Sequence, residues 1–179
     1  MKNMLVKYYF LLLICLLVSC SANEKTTSAP TDVYAIATPN YAVLAEKAIS
    51  YQADFNWESW ANLLAEDVQF FLSDSIPPLV GKQAVLTYWK TYPQRRKLSS
   101  WQLSHLNHIP IESSQKLYIS GMEGVHVFSM FKSQLTFLDG NSHVMNLTYC
   151  SHFNKKKLID RCYMFYQPLF GNPTTKNYQ

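Results

Sequence analysis

A chain of 179 residues, 48% hydrophobic and only 16% charged, carries enough apolar material for one ordinary core and too little length for two. Its formal charge of +4 falls to +2 once Lys2 and Lys7 leave with an N-terminal leader, too weak a field to argue for nucleic acid. The basic clusters Arg95-Arg96-Lys97 and Lys155-Lys156-Lys157 fall at expected turns and read as solvated loops.

The apolar run from Tyr8 to Val18 follows Lys2 and Lys7 and is too short to span a bilayer comfortably, so residues 1–19 have the layout of a signal peptide. The run ends in Leu17-Val18-Ser19-Cys20, which resembles the bacterial lipobox. That resemblance implies that Cys20 is lipidated, becomes the mature N-terminus and ties the chain to a membrane; an ordinary signal peptide or an uncleaved anchor is the alternative. Ser21 after the cysteine resembles the rule for sorting to the outer membrane, so the expected location is the bacterial envelope with the domain in the periplasm. Residues 20–38 are Ser, Thr, Ala, Pro and Asn with little to bury, and read as a flexible spacer.

The folded domain is expected over 39–168, with a loose tail at 169–179. Thr38-Pro39 opens a helix to Ala53 with Leu44, Ala45, Ala48, Ile49 and Gln52 at helical spacing. Asn56 can cap a short second helix whose Trp57, Trp60, Ala61 and Leu64 share a side. Asp67 to Leu72 reads as a strand, Pro77-Pro78 as an irregular link, and Gly81 as the start of a third helix that Pro93 interrupts. Leu98 to Ile111 is the first long strand. An antiparallel meander follows, Val125 to Leu138, Ser142 to Phe153 and Leu158 to Tyr166, with Asp139-Gly140 predicting a tight hairpin that pairs Leu138 with Asn141. Helices first and a meander after make an α+β arrangement with three helices on one face of the sheet.

The hairpin register sorts the strands into two faces. One collects His126, Phe128, Met130, Met145, Leu147 and Tyr149, joined by Tyr163 and Phe165, and is expected to line the interior. The other collects Val127, Ser129, Phe131, Asn146, Thr148, Cys150 and His152 and is expected to meet solvent or a partner subunit. A loop of Lys155-Lys156-Lys157 closed by Asn154 and Leu158 sets Cys150 opposite Cys162, which permits a disulfide; two buried free thiols are the alternative. His105 and His108, three apart on a strand, point to opposite faces, so no metal site is expected.

Trp57-Glu58-Ser59-Trp60, Leu63-Leu64-Ala65-Glu66-Asp67-Val68 and above all Gly81-Lys82-Gln83-Ala84-Val85 running to Trp89, followed by the meander, resemble the SnoaL-like branch of the nuclear transport factor 2-like superfamily. The resemblance covers about Tyr41 to Pro168. It implies a cone, a curved sheet wrapped around helices to enclose a pocket, often with homodimers formed through the outer sheet face, and no cofactor. It also implies that the members that are isomerases, cyclases or dehydratases move protons beside a carbonyl with a pocket Asp or His. In cyclase-like members a carboxylate sits on the last strand; here that position falls near Tyr166 or Gln167, neither a general base at neutral pH.

Two function classes follow. The first is an envelope lipoprotein that binds a small apolar molecule or a protein partner without catalysis, in a pocket framed by Trp57, Trp60, Trp89, His126, Tyr149 and Tyr163. The second is a cofactor-free isomerase, cyclase or dehydratase using His126 or Asp54, with Tyr51 one turn before Asp54. The missing carboxylate favours the first.

Overall fold

A computed structural model describes residues 33–72 and 76–167. The signal peptide, Cys20, the spacer up to Asp32 and the tail expected from residue 169 lie outside the described residues. The elements are β1 (Tyr34–Ile36), α1 (Pro39–Ala53), α2 (Trp57–Ala61), β2 (Leu64–Phe71), β3 (Leu79–Val80), α3 (Lys82–Arg96), β4 (Leu98–Ser113), β5 (Gly124–Phe137), β6 (Ser142–Phe153) and β7 (Ile159–Gln167). The sheet runs β1-β4-β5-β6-β7-β2-β3, antiparallel except where β2 meets β7.

The three helices form where their patterns place them. α1 starts with Pro39 and buries Ala45, Ala48, Ile49, Gln52 and Ala53, a small-residue face that packs on β4 and β5. Asn56 caps α2 by accepting from Ser59 N at 3.1 Å. That helix stops at Ala61 because the backbone beyond it is drawn into the sheet, Ile159 N donating to Leu63 O at 2.8 Å, so Leu64 begins a strand instead of ending a helix. α3 runs past Pro93 to Arg96 and closes on Lys97, whose left-handed backbone is a C-cap. Tyr34–Ile36, placed in the spacer by composition, is an edge strand held to β4 through Ile36 opposite Ile111.

The first hairpin sits one residue away from the expected register, and the second departs from it only beyond a bulge. At the first, Phe137 N donates to Asn141 O at 2.8 Å, leaving Leu138-Asp139-Gly140 as a three-residue loop. A two-residue type I′ turn needs positive φ at both central positions, whereas here Gly140 alone takes it, at 83°, and Asp139 instead accepts from Asn141 N at 3.0 Å. Leu138 therefore does not pair with Asn141, and the strand faces re-sort: Ser129 lies opposite Tyr149, and His126 opposite His152. Val127, Phe131, Leu135, Leu147, Tyr149 and Phe153 point into the core. His126, Phe128, Met130, Cys150, Tyr163 and Phe165 share the outer face, which reverses the expected interior placement of His126, Phe128, Met130, Tyr163 and Phe165, while Val127, Ser129 and Phe131, expected outside, face inward.

At the second hairpin Asn154 and Leu158 close the three-lysine loop as expected, Asn154 N donating to Leu158 O at 2.9 Å. Asp160 then bulges out of the ladder between the Phe153–Ile159 and His152–Arg161 pairs, and the bulge shifts everything beyond it by one. Cys162 faces Ser151 on the inside and Cys150 faces Tyr163 on the outside, so the register that permitted a disulfide is lost and both thiols are free and buried, the alternative the sequence left open.

The core joins Trp60, Trp89, Phe70 and Tyr149 by edge-on contacts, with Trp60 and Trp89 at 6.4 Å, Phe70 and Trp89 at 5.5 Å and Phe70 and Tyr149 at 6.0 Å. Burying each tryptophan contributes about 4–6 kcal/mol at about 25 cal/mol per Å² of apolar surface. Among the described residues no helix is long and apolar enough to cross a membrane.

Candidate functional site

Inside the cone, α1, α2, β2, β6 and β7 meet around a small cavity. Its apolar wall comes from Ile49, Trp60, Leu64, Phe70 and Ile159, and its polar atoms from Gln52, Tyr149, Ser151 and Cys162. The opening is about 10 Å³ measured to the centre of a water-sized sphere, room for one water. Gln52 and Tyr149 are 1% and 2% exposed. The Gln52 amide sits beside the Tyr149 hydroxyl, yet neither Gln52 Nε2 nor Tyr149 Oη completes a hydrogen bond with the protein. Such groups cost stability unless something else meets them.

Nothing on this wall exchanges protons readily near neutrality. Burial holds the Tyr149 hydroxyl well above the usual tyrosine range and pushes the Cys162 thiol up to about 12, against a weaker pull from the Ser151 hydroxyl, 3.7 Å from its sulfur. Ser151 and the Gln52 amide do not titrate.

The structure brings together part of the sequence-predicted pocket. Trp60, Trp89 and Tyr149 meet in the core, and Trp57 stands beside them, half-buried, with its ring 6.0 Å from Trp60. His126 and Tyr163 are on the other side of the sheet, where Tyr163 stacks on Phe71 at 4.1 Å. Asp54 is exposed at the C-terminus of α1 and Tyr51 is half-buried one turn earlier, so neither joins His126.

Gln52, Phe70, Ser151 and Cys162 are the lining residues that strand and helix patterns alone did not single out. Gln52 left a signal: a polar residue on the otherwise apolar stripe of α1. The other three depend on the Asp160 bulge and on which strand neighbours β7.

A second interior group escaped the sequence reading. The bulge between Ser104 and Asn107 turns His108 inward under α1, where its Nδ1 lies 2.9 Å from Ser129 Oγ. Its Nε2 is buried without a hydrogen bond, 4.0 Å from Glu46 Oε2. Burial lowers the His108 pKa, and the Glu46 charge partly opposes it.

On the outer face His126 belongs to a buried polar cluster. Its Nδ1–H donates to Gly124 O at 3.2 Å, which leaves Nε2 to accept from Ser120 Oγ at 2.7 Å. His152, its ring 4.8 Å away, donates from Nε2 to Glu123 O at 2.9 Å and pairs through Nδ1 with Asp160. Burial first, and the His152 charge second, lower the His126 pKa to about 4. Gly124 has φ of 102°, and a Cβ there would stand 3.3 Å from His152 Nε2, so glycine lets the ring approach. Among the described residues no group of three or more His, Cys, Asp or Glu side chains is placed to share a metal ion.

A curved, mainly antiparallel sheet closed by three helices is a cone-shaped α+β domain, and its cavity lies between sheet and helices. Its fold is the nuclear transport factor 2-like fold. A candidate ketosteroid isomerase from Kribbella flavida is 20% identical and aligns over 77% of this chain and 85% of its own, with a TM-score of 0.54. A nuclear transport factor 2-like protein from Anabaena variabilis is 15% identical over 73% and 92%, TM-score 0.55. A candidate SnoaL-like polyketide cyclase from Shewanella denitrificans is 8% identical over 73% and 92%, TM-score 0.52. No family model and no curated protein matches the chain in sequence.

Proposed function

We propose that this chain is an envelope lipoprotein, anchored through Cys20, whose domain binds a small, largely apolar molecule with one hydrogen-bonding group inside the cone and does not transform it. One observation carries the reading. Gln52 Nε2 and Tyr149 Oη are buried without partners on the wall of a cavity that aromatic and aliphatic side chains otherwise line. A guest that supplies an acceptor and a donor there recovers the cost of those groups, while its apolar body replaces contacts among the rings. The cavity takes a single water, so a larger guest requires its lining side chains, Trp60 and Phe70 among them, to shift.

Native mass spectrometry of the protein purified from its own envelope and delipidated tests this. A co-purifying small molecule that is lost on Gln52→Leu supports the site. Retention of the same molecule by that variant would count against it. The outer sheet face, with Ile109, Met130 and Phe165 exposed, is where we place a second copy of the chain or another protein partner.

A second reading has a specific observation behind it. His108, which does not line the cavity, turns inward with its Nε2 unpartnered and Glu46 4.0 Å away, so in a cone opened by a substrate it, rather than His126 or Asp54, would take a proton beside a carbonyl in an isomerase, cyclase or dehydratase. Deuterium uptake by a ketosteroid in the presence of the protein, abolished by His108→Asn, would replace the binding reading with this one.

A further inference from the structure

The segment between β4 and β5 ends in an apolar tip. Tyr118 is fully exposed and Ile119 is 38% exposed, side chains that a solvated loop does not usually present together. The tip is not loose. Leu117 N donates to Met122 O at 3.0 Å and Gly121 N to Leu117 O at 2.7 Å, closing a turn around it. Beneath the turn, Ser120 bonds His126, Arg161 Nη1 donates to Ser120 O at 2.6 Å, and His152 holds Glu123 O. Ser120 itself is 2% exposed. The residue that follows the two exposed side chains is thus fastened to the sheet, and the fastening holds Tyr118 and Ile119 outward.

The chain enters the domain at the base of this loop. Ser114 N donates to Val33 O at 3.1 Å, and Tyr34 pairs with Ser113. Tyr34 and Ile36, on the edge strand next to that entrance, are exposed at 59% and 78%. From Ser21 to Asp32 a fully extended chain spans at most about 40 Å. A lipid on Cys20 therefore keeps this end of the domain within reach of the bilayer, at a high effective concentration.

We propose that the Lys116–Met122 loop, with Tyr118 and Ile119 at its tip, rests on the lipid surface to which the chain is tethered and fixes the orientation of the domain there. The proposal builds on the lipidation of Cys20. Tyr is a side chain that favours the headgroup boundary, ring toward the acyl chains and hydroxyl toward water, and Ile adds apolar area. Lys116 and Glu123, both exposed, offset each other in charge, so the contact is apolar and insensitive to salt. Two side chains alone bind too weakly to hold a free protein on a vesicle; the tether converts their weak affinity into a preferred orientation.

The test uses the lipidated full chain in phosphatidylethanolamine–phosphatidylglycerol vesicles, with Tyr118→Cys labelled by an environment-sensitive dye and Asp139→Cys as the control. Cys150 and Cys162 are buried, and Asp139 lies on the hairpin at the opposite end of β5. Nitroxide lipids are expected to quench the dye at 118 at least about twofold at any salt concentration, for a tip seated about 5–10 Å into the boundary, and to leave 139 unquenched. Ile119→Asp should abolish the difference. Equal quenching at the two positions overturns the proposal, as does quenching at 118 that disappears in high salt. The same labelled chains with Cys20→Ser, held by a hexahistidine tag placed before residue 21 on nickel-chelating vesicles, give the reading without native acylation. Failure of lipidation at Cys20 and failure of the loop contact are thereby told apart.

Discussion

Tyr149→Phe removes one oxygen from the most enclosed part of the molecule, and the structure assigns the change an unusual sign. The ring is 2% exposed, with Phe70 and Phe131 packed edge-on at 6.0 and 5.3 Å, contacts that phenylalanine keeps. The hydroxyl has no hydrogen-bond partner in the protein. A buried, unsatisfied polar group costs about 1–3 kcal/mol, so the substitution should stabilise the ligand-free protein by about 1 kcal/mol. At a urea m-value of about 2 kcal/mol/M this raises the unfolding midpoint by about 0.5 M with no change in slope. The same substitution should weaken binding of any polar-tipped guest by about tenfold, because about 1.4 kcal/mol is a factor of ten in affinity. Urea unfolding at pH 7, followed by tryptophan fluorescence, measures the first effect. A variant less stable than the parent would show that the hydroxyl is already well bonded, and the argument for a ligand-directed Tyr149 would fall with it.

Four further outcomes are expected. Burial lowers the His126 pKa to about 4 in the folded protein, against about 6.5 for a free imidazole, so its contribution is complete above pH 6.5 and lost as the pH falls toward 4. The loss is at most about 3 kcal/mol, and urea midpoints between pH 7 and 4 should fall less steeply for His126→Asn. Cys20→Ser should abolish labelling by a palmitate analogue and release the protein from membranes; unchanged labelling would reject the anchor. Thiol titration of the mature, unfolded and unreduced chain carrying Cys20→Ser should find Cys150 and Cys162 both free, and a count of zero would mean that the strand register is wrong. Phe165→Asp, on the exposed sheet face, should shift any dimer to monomer by light scattering with little change in melting temperature; a dimer that survives it uses another surface.

The amphipathic spacing of α1, the Asn56 cap of α2 and the Gly81 start of α3 were readable because each is a local event, decided within a turn of the chain. The three strands of the meander were readable for the same reason. Face and register were not, since a single residue decides them. Asp139-Gly140 admits a two-residue turn or a three-residue turn with a left-handed glycine, and the choice inverted His126, Phe128 and Met130 from inside to outside. Asp160 bulges to meet His152, a partner eight positions away that no periodicity announces, and with that bulge Tyr163 and Phe165 turned outward and Cys150 lost its place opposite Cys162. Trp60, Trp89 and Tyr149 were recoverable because large aromatic rings go to the core of any such fold. Gln52 and His108 were visible only as polar letters among apolar ones until the sheet placed them.

The parallel pairing of β2 with β7 has a consequence for the order in which the protein can be made. Leu64 sits beside Ile159, and Phe71 beside Tyr163. The sheet therefore has to hold a place for its last strand between two earlier neighbours, and the wall of Trp60, Phe70 and Ile159 cannot close until nearly the whole domain is available. Pairings between such distant parts of a chain form late and slowly. A chain emerging from its N-terminus leaves β2 without its long-range strand partner until β7 arrives. For the exported lipoprotein we propose, slow closure would be an advantage, because it would lengthen the time during which the chain can still be threaded across a membrane unfolded.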